Sequence, residues 1–262
     1  MGRARASEVE VVEHSPWRLV IVGALVLVCC DPATRPAAVV EAPAEDPGFA
    51  PASVGDAWTY RTGQTSPGLV MPGATTTDRI VAGAREGGRF VGRVVSEDAG
   101  NPAANSERGL IVTPAGVSPD IGTMTTAIGP VTTLRSSGVF LPAQLPAGLR
   151  WTWTQTLESP ISTMEVRGSA EVIGPEQVTV PAGSFAAVRV RSEVRNHVVT
   201  RGGAVPPIEH VQRDDSWYVR GLGLVKAVTT ATGYSAEKVL VAYQVQGAPV
   251  GQGSPQIAVG AP

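Results

Sequence analysis

The stretch that decides the fold is "VTVPAGSFAAVRVRSEVRNHVVT", Val178 to Thr200. Pro181 to Ser184 carries the proline and glycine of a tight turn, and beyond it apolar and charged residues alternate. Val188, Val190, Val194 and Val198 fall on one face, and Arg189, Arg191, Glu193, Arg195 and His197 on the other. A period of two with one charged face predicts a half-buried antiparallel strand. The same logic makes a hairpin of "TTTDRIVAGAREGGRFVGRVVSED" (75–98), because Gly87-Gly88 suits the positive φ angles of a primed turn. A third hairpin is expected in "VKAVTTATGYSAEKVLVAYQVQ" (225–246), with Val239, Val241, Tyr243 and Val245 on one side. No window after the leader carries a helical stripe, so the expected class is all-β. Residues 100–147, rich in Gly, Pro, Ser and Thr, show no period that assigns them.

A faint internal echo accompanies these strands. "GDAWTY" (55–60) and "GLRWTW" (148–153) share Gly-x-x-Trp-Thr-aromatic, and each opens a run of strands. Two similar halves and a chance match of four positions both explain it.

The chain has 262 residues and a formal charge of −2. That length can bury a sizeable core, and the balance lacks the cationic surplus on which nucleic-acid binding depends. The 21 basic residues include only two lysines, Lys226 and Lys238. The arginine excess reads as genomic composition rather than mechanism.

The N-terminus speaks to location. Leu19–Val28 is an apolar run too short for the roughly twenty residues of a membrane span, and it matches the apolar region of a signal peptide. It ends at Cys29 and Cys30, the only cysteines of the chain. "LVCC" resembles a bacterial lipobox, in which a small residue precedes the cysteine that is acylated and becomes the new N-terminus. Cys30 fits that place better, since small Cys29 precedes it whereas bulky Val28 precedes Cys29. A soluble signal peptide with two incidental cysteines is the plainer alternative, and the long leader with Glu8, Glu10 and Glu13 departs from the usual pattern. The expected organisation is a signal peptide (1–29), a lipidated Pro/Ala-rich tether (30–50), one all-β domain (51–246) and a disordered tail (247–262). The expected partner is the membrane, inner or outer, held through two acyl chains at about 0.8 kcal/mol per buried methylene. An apolar ligand or an envelope protein would be a second partner; nucleic acid is not expected.

"SWYVRGLGLVK" (216–226) carries the ingredients of a phosphate loop. The third glycine of a dinucleotide fingerprint would fall on Lys226, and β-branched "LVKAVTTAT" follows where a helix is needed. Two strands meeting at a glycine bend explain it better. Together with "VPAGSFAAVRV" (180–190) the stretch resembles uncharacterised exported bacterial lipoproteins of a domain-of-unknown-function group, marked by a Pro-Ala-Gly-[Ser/Thr]-Phe turn and a Trp-Tyr-x-x-Gly-x-Gly-x-Val-Lys strand pair. With the Gly-x-x-Trp-Thr segments it spans about residues 50 to 246. The resemblance implies a strongly curved antiparallel sheet or incomplete barrel, akin to envelope lipoprotein carriers and sensors, and supplies no catalytic residues.

No cofactor or metal is expected. After the leader only His197 and His210 remain, a poor zinc signal. "IEHVQRDD" gathers Glu209, His210, Asp214 and Asp215, but adjacent strand residues face opposite ways, so Asp214 and Asp215 cannot flank one bond. Surface charge is the simple account of that cluster. The aromatics Trp58, Tyr60, Trp151, Trp153, Trp217 and Tyr218 sit in pairs on strand-like segments. Each ring buries roughly 150–250 Å², so core packing is the default, and a ligand groove inside a curved sheet is the alternative. Three roles follow: a binding module with a roomy concavity, an assembly protein acting through a free sheet edge, or a hydrolase built on His197 or His210.

Overall fold

The computed structural model describes residues 48–66, 69–126, 129–203, 205–246 and 248. Cys30, the leader and nearly all of the tether and tail lie outside the described residues. Fourteen strands follow in chain order: β1 (Ala57–Ser66), β2 (Leu69–Glu86), β3 (Arg89–Asp98), β4 (Ser106–Thr113), β5 (Gly116–Val117), β6 (Thr123–Thr126), β7 (Gly129–Gly138), β8 (Leu141–Pro142), β9 (Arg150–Glu158), β10 (Ser162–Val180), β11 (Gly183–Thr200), β12 (Ile208–Val219), β13 (Gly223–Ala231) and β14 (Tyr234–Gln244). Among the described residues the one helical piece is a 3-10 turn at Pro102–Ala104.

All pairings are antiparallel, and twelve strands close into a barrel. The ring runs β1, β2, β3, β4, β6, β7, β9, β10, β11, β12, β13, β14 and back to β1; β5 and β8 hang from β4 as a short ribbon. The curved sheet is therefore closed, through β3–β4 over Phe90–Ser96 and through β1–β14. Closure removes the unpaired edges an open sheet would present. The thinnest seam lies between β4 and β6, which meet at one residue pair, Glu107 with Thr125.

Turn chemistry places the strands. Gly87 and Gly88 both have positive φ, 56° and 75°, as a primed two-residue turn requires. Gly221 and Gly223 (φ 74° and 93°) turn β12 into β13. The Gly221 N–H donates to Gly48 O at 2.7 Å, so this bend clasps the incoming chain rather than a phosphate.

The echo between the tryptophan segments is carried by the backbone. Gly55 N donates to Ile80 O, and Ile80 N to Asp56 O; Gly148 N donates to Val172 O, and Val172 N to Leu149 O. A bulge follows each, between Ile80 and Ala82 and between Val172 and Gly174. Ile80 then pairs with Val94, and Val172 with Val190, all four buried. The units β1–β4 and β9–β12 thus repeat one four-strand pattern.

Beyond the bulge at Gly174 the β10–β11 hairpin outruns β9, whose pairing ends at Glu171. Its tip folds onto β14: Ala182 N donates to Leu240 O at 3.1 Å, and Phe185 meets Tyr243 edge-on at 6.2 Å. Val239 and Tyr243 of β14 pack against the same cluster as this tip. Inside, the Phe90 ring lies over the paired Gly83 and Gly92; a Cβ at either glycine would collide with it. Phe49, Leu141 and Leu145 pack with Trp153, Val172 and Val190, stopping that end of the barrel. Burying each such aliphatic side chain contributes about 1.5–3 kcal/mol.

Candidate ligand-binding cavity

The barrel is not filled along its whole length. A cavity of about 290 Å³ extends from the Phe140–Leu141 stopper toward the far strand ends, reaching Met164 near the start of β10 and Tyr234 at the β13–β14 turn. One wall is apolar, with Trp151, Trp153 and Leu157 from β9, Met164 and Val166 from β10, and Val190 and Val194 from β11. Gly168 on β10 makes room for it: the Trp153 indole lies where a Cβ at that position would sit. Phe140 meets Trp153 edge-on at 5.4 Å, and Trp151 Nε1 donates to Phe140 O at 3.2 Å. These contacts fix both indoles against the wall.

Polar groups line the rest. Ser192 and Asn196 alternate with Val190 and Val194 on β11, and Gln212, Asp214, Ser216, Tyr218, Thr229, Tyr234 and Lys238 come from β12, β13 and β14. Period two puts Asp214 inside and Asp215 outside. Asp214 Oδ1 accepts from Thr229 Oγ1 at 2.5 Å and Oδ2 from Gln212 Nε2 at 3.2 Å. Burial pushes Asp214 above its ordinary value, against the pull of those two donors and with a push from Asp215. Asp215 instead meets Arg189 at 3.0 Å and Arg191 at 3.2 Å on the outer face. Reading Asp214 as surface charge is thus corrected: the alternation that separates it from Asp215 turns it inward. Burial also pushes the Tyr218 phenol up to about 12, so it stays a neutral hydrogen-bonding group at ordinary pH.

A buried charge cluster adjoins these groups. Asp78 Oδ2 accepts from Arg108 at 3.0 Å, Oδ1 accepts from Ser96 Oγ at 2.6 Å, and Lys238 Nζ stands 3.9 Å from Oδ2. Burial alone would raise Asp78; Arg108, Lys238 and the Ser96 hydrogen bond together hold it below its ordinary value. Burial lowers Lys238, Asp78 resists that fall, and Arg108 adds to it. Lys238 Nζ also lies 4.1 Å from the Tyr60 ring centroid.

Of the six sequence-nominated aromatics, Trp151, Trp153 and Tyr218 come together on the cavity wall. Trp58 and Tyr60 are buried in the core, with Trp58 Nε1 donating to Leu222 O at 2.7 Å and Tyr60 Oη to Leu224 O at 3.0 Å. Trp217 faces away from Tyr218, with Arg189 5.1 Å and Lys226 5.5 Å from its ring. His197 Nδ1 lies 2.5 Å from Glu209 Oε1 on the exposed outer face, away from the cavity. Asp78, Arg108 and Lys238 were not singled out by the sequence reading. The available signal was the alternation Tyr234, Ala236, Lys238, Leu240, which puts a lysine on the face opposite the valines.

No protein-family model matches the chain, and no curated protein matches it. The fold has solved counterparts. A candidate lipoprotein from Parabacteroides distasonis superposes with a TM-score of 0.50 at 10% identity, over 75% of this chain and 98% of its own. A candidate exported protein with YmcC-like fold from Bacteroides fragilis gives 0.50 at 16% identity, over 75% and 99%. The chain shares their architecture.

Proposed function

We propose that this chain is a cell-envelope lipoprotein, anchored through acylated Cys30, whose barrel is a non-catalytic binding module for an apolar or amphiphilic ligand. The observation that carries this reading is the cavity faced by Trp151, Trp153 and Tyr218, lined by apolar side chains with hydrogen-bonding groups set among them. Small-molecule sites have this make-up, with volumes from roughly 300 Å³ upward. The export-type leader and the names of the two structural counterparts agree with an envelope location. Pairing through a free sheet edge has less to work with, since every ring strand has a neighbour on both sides. A hydrolase built on His197 would need that side chain in a pocket, and it lies on the outer face.

The test is native mass spectrometry of the full chain extracted from its membrane, followed by organic extraction of whatever travels with it. A bound lipid-like amphiphile is expected, with metabolic acyl labelling in the wild type and none in Cys30→Ser. An empty barrel whose tryptophan emission ignores every added amphiphile would sink the binding role. Equal labelling of both chains would sink the anchor.

A further inference from the structure

Among the described residues Lys238 is the one cavity-lining cation, and its only carboxylate contact is a long one to Asp78. The Lys238 side chain is 18% exposed. Among the described residues no acceptor lies within hydrogen-bond distance of Nζ; the nearest carboxylate oxygen, Asp78 Oδ2, is 3.9 Å away and already takes the Arg108 guanidinium. The other Asp78 oxygen is taken by Ser96. Tyr60 offers only a ring face. The chain's other lysine shows the contrast: outside the cavity, Lys226 meets Glu237 at 2.7 Å. A buried ammonium lacking acceptors is costly, unless something else supplies them.

The acids of the cavity do not fill this role. Asp214 has both oxygens occupied by Thr229 and Gln212, and Asp120 Oδ1 accepts from Gly122 N at 2.9 Å. No ion pair joins either to Lys238 among the described residues. The carboxylates hold donors already, and the ammonium is the group still short of partners. It faces the space between Thr62 on β1 and Ala227 on β13, its register partners, and both of these also line the cavity. The apolar wall of Trp151, Leu157 and Met164 bounds the same space.

Resting on the binding role proposed above, we infer that the barrel takes a single-chain amphiphile with an anionic headgroup, its carboxylate or phosphate monoester seated on Lys238 and its chain along the Trp151–Met164 wall. The volume limits the chain number. At about 290 Å³ the cavity sits at the lower bound of small-ligand sites, which suits one acyl chain and not two.

The test is titration of the full chain with dodecanoate, dodecanol and dodecylammonium, read by calorimetry and tryptophan emission, on the wild type, Lys238→Met and Lys238→Gln. Dodecanoate should bind the wild type about tenfold or more tightly than dodecanol, since hydrogen bonds to a charged group are the stronger kind. Both variants should lose that preference while keeping the dodecanol affinity. Acetate at the same concentration should not displace dodecanoate, because the anion alone lacks the chain; displacement by acetate would overturn the amphiphile. Equal wild-type affinities for dodecanoate and dodecanol would overturn the Lys238 seat and leave the binding role standing. Preference for dodecylammonium would move the headgroup to Asp214 and overturn it likewise. Failure of all three to bind would overturn the binding role and this inference together.

Discussion

In β1–β4, Trp58 pairs with Asp78, Asp78 with Ser96, and Val94 with Arg108. The matching pairs in β9–β12 are Trp151 with Ala170, Ala170 with Ser192, and Val190 with Ser216. One serine recurs, Ser96 in the first unit and Ser192 in the second, but Asp78 and Arg108 give way to Ala170 and Ser216. Those two changes separate a filled interior from a hollow one. In the first unit a carboxylate and a guanidinium occupy the space. In the second, small side chains leave the wall of a cavity, and Trp151, Trp153, Ala170, Val190, Ser192 and Ser216 all line it. A repeated backbone can thus be a plug in one copy and a pocket in the other.

The largest effect should come from breaking the plug. Arg108→Met leaves the buried Asp78 with the Ser96 hydrogen bond and Lys238 at 3.9 Å, and urea unfolding should show a loss of about 3–5 kcal/mol. Asp78→Leu combined with Arg108→Met should recover most of that loss, because a buried pair replaced by apolar groups of similar volume is often neutral. A double variant as unstable as the single one would mean that the pair does more than fill space.

Phe90→Ala comes next. Its ring lies over Gly83 and Gly92, neither of which has a side chain to fill the gap, so the cost should be about 3 kcal/mol or more. Trp151→Ala, on a wall that already borders empty volume, should cost clearly less in the same assay. Similar losses would contradict the contrast between the two units.

How far this contrast was readable depended on which contacts were local. Gly87-Gly88, the alternation from Val188 to Val198 and the Gly221 bend were legible because turn chemistry and period two need no partner. Residues 100–147 were not, since β5, β6 and β8 are two to four residues long, too short to show a period. Closure at Glu107–Thr125 is a meeting of segments that sequence alone does not join. The nominated aromatics split evenly, because pairing them by spacing said which rings share a face, not whether that face meets a core or a void. β14 was misleading in a specific way. Its valines suggested an apolar inward face, but Val239 shares its side with Lys226 of β13, outside the cavity, while Lys238 faces inward with Ala236 and Leu240.

Gly168→Ala should have a smaller effect than either core truncation. The added methyl must displace the Trp153 indole, at about 1–3 kcal/mol for an overpacked site, and the ring can move only toward the cavity. Binding of a hydrophobic probe should therefore weaken more than stability does. Thr76, which faces Tyr60 in the first unit as Gly168 faces Trp153, already carries a Cβ there; Thr76→Gly should leave probe binding unchanged.

The subtlest difference between the units is the sign of a carboxylate. Asp78 is held below its ordinary value, so its contribution is complete above the unfolded value of 3.8 and is lost as pH falls through the lower folded value. Asp214 is pushed above its ordinary value, so the native state holds that proton more tightly than the unfolded chain. Its effect therefore runs the other way: a penalty begins as pH rises past 3.8 and is complete once pH exceeds the raised folded value. At neutral pH Asp78→Asn should destabilise the barrel, while Asp214→Asn should stabilise it, since Gln212 can turn its amide to accept from the new one. Unfolding midpoints followed from neutral pH into acid should show the Asp214→Asn advantage fading between the raised folded value and 3.8, before the Asp78→Asn deficit begins to close below 3.8. Two carboxylates moving stability in the same direction would mean that both interiors treat charge alike, and the division into plug and pocket would fail.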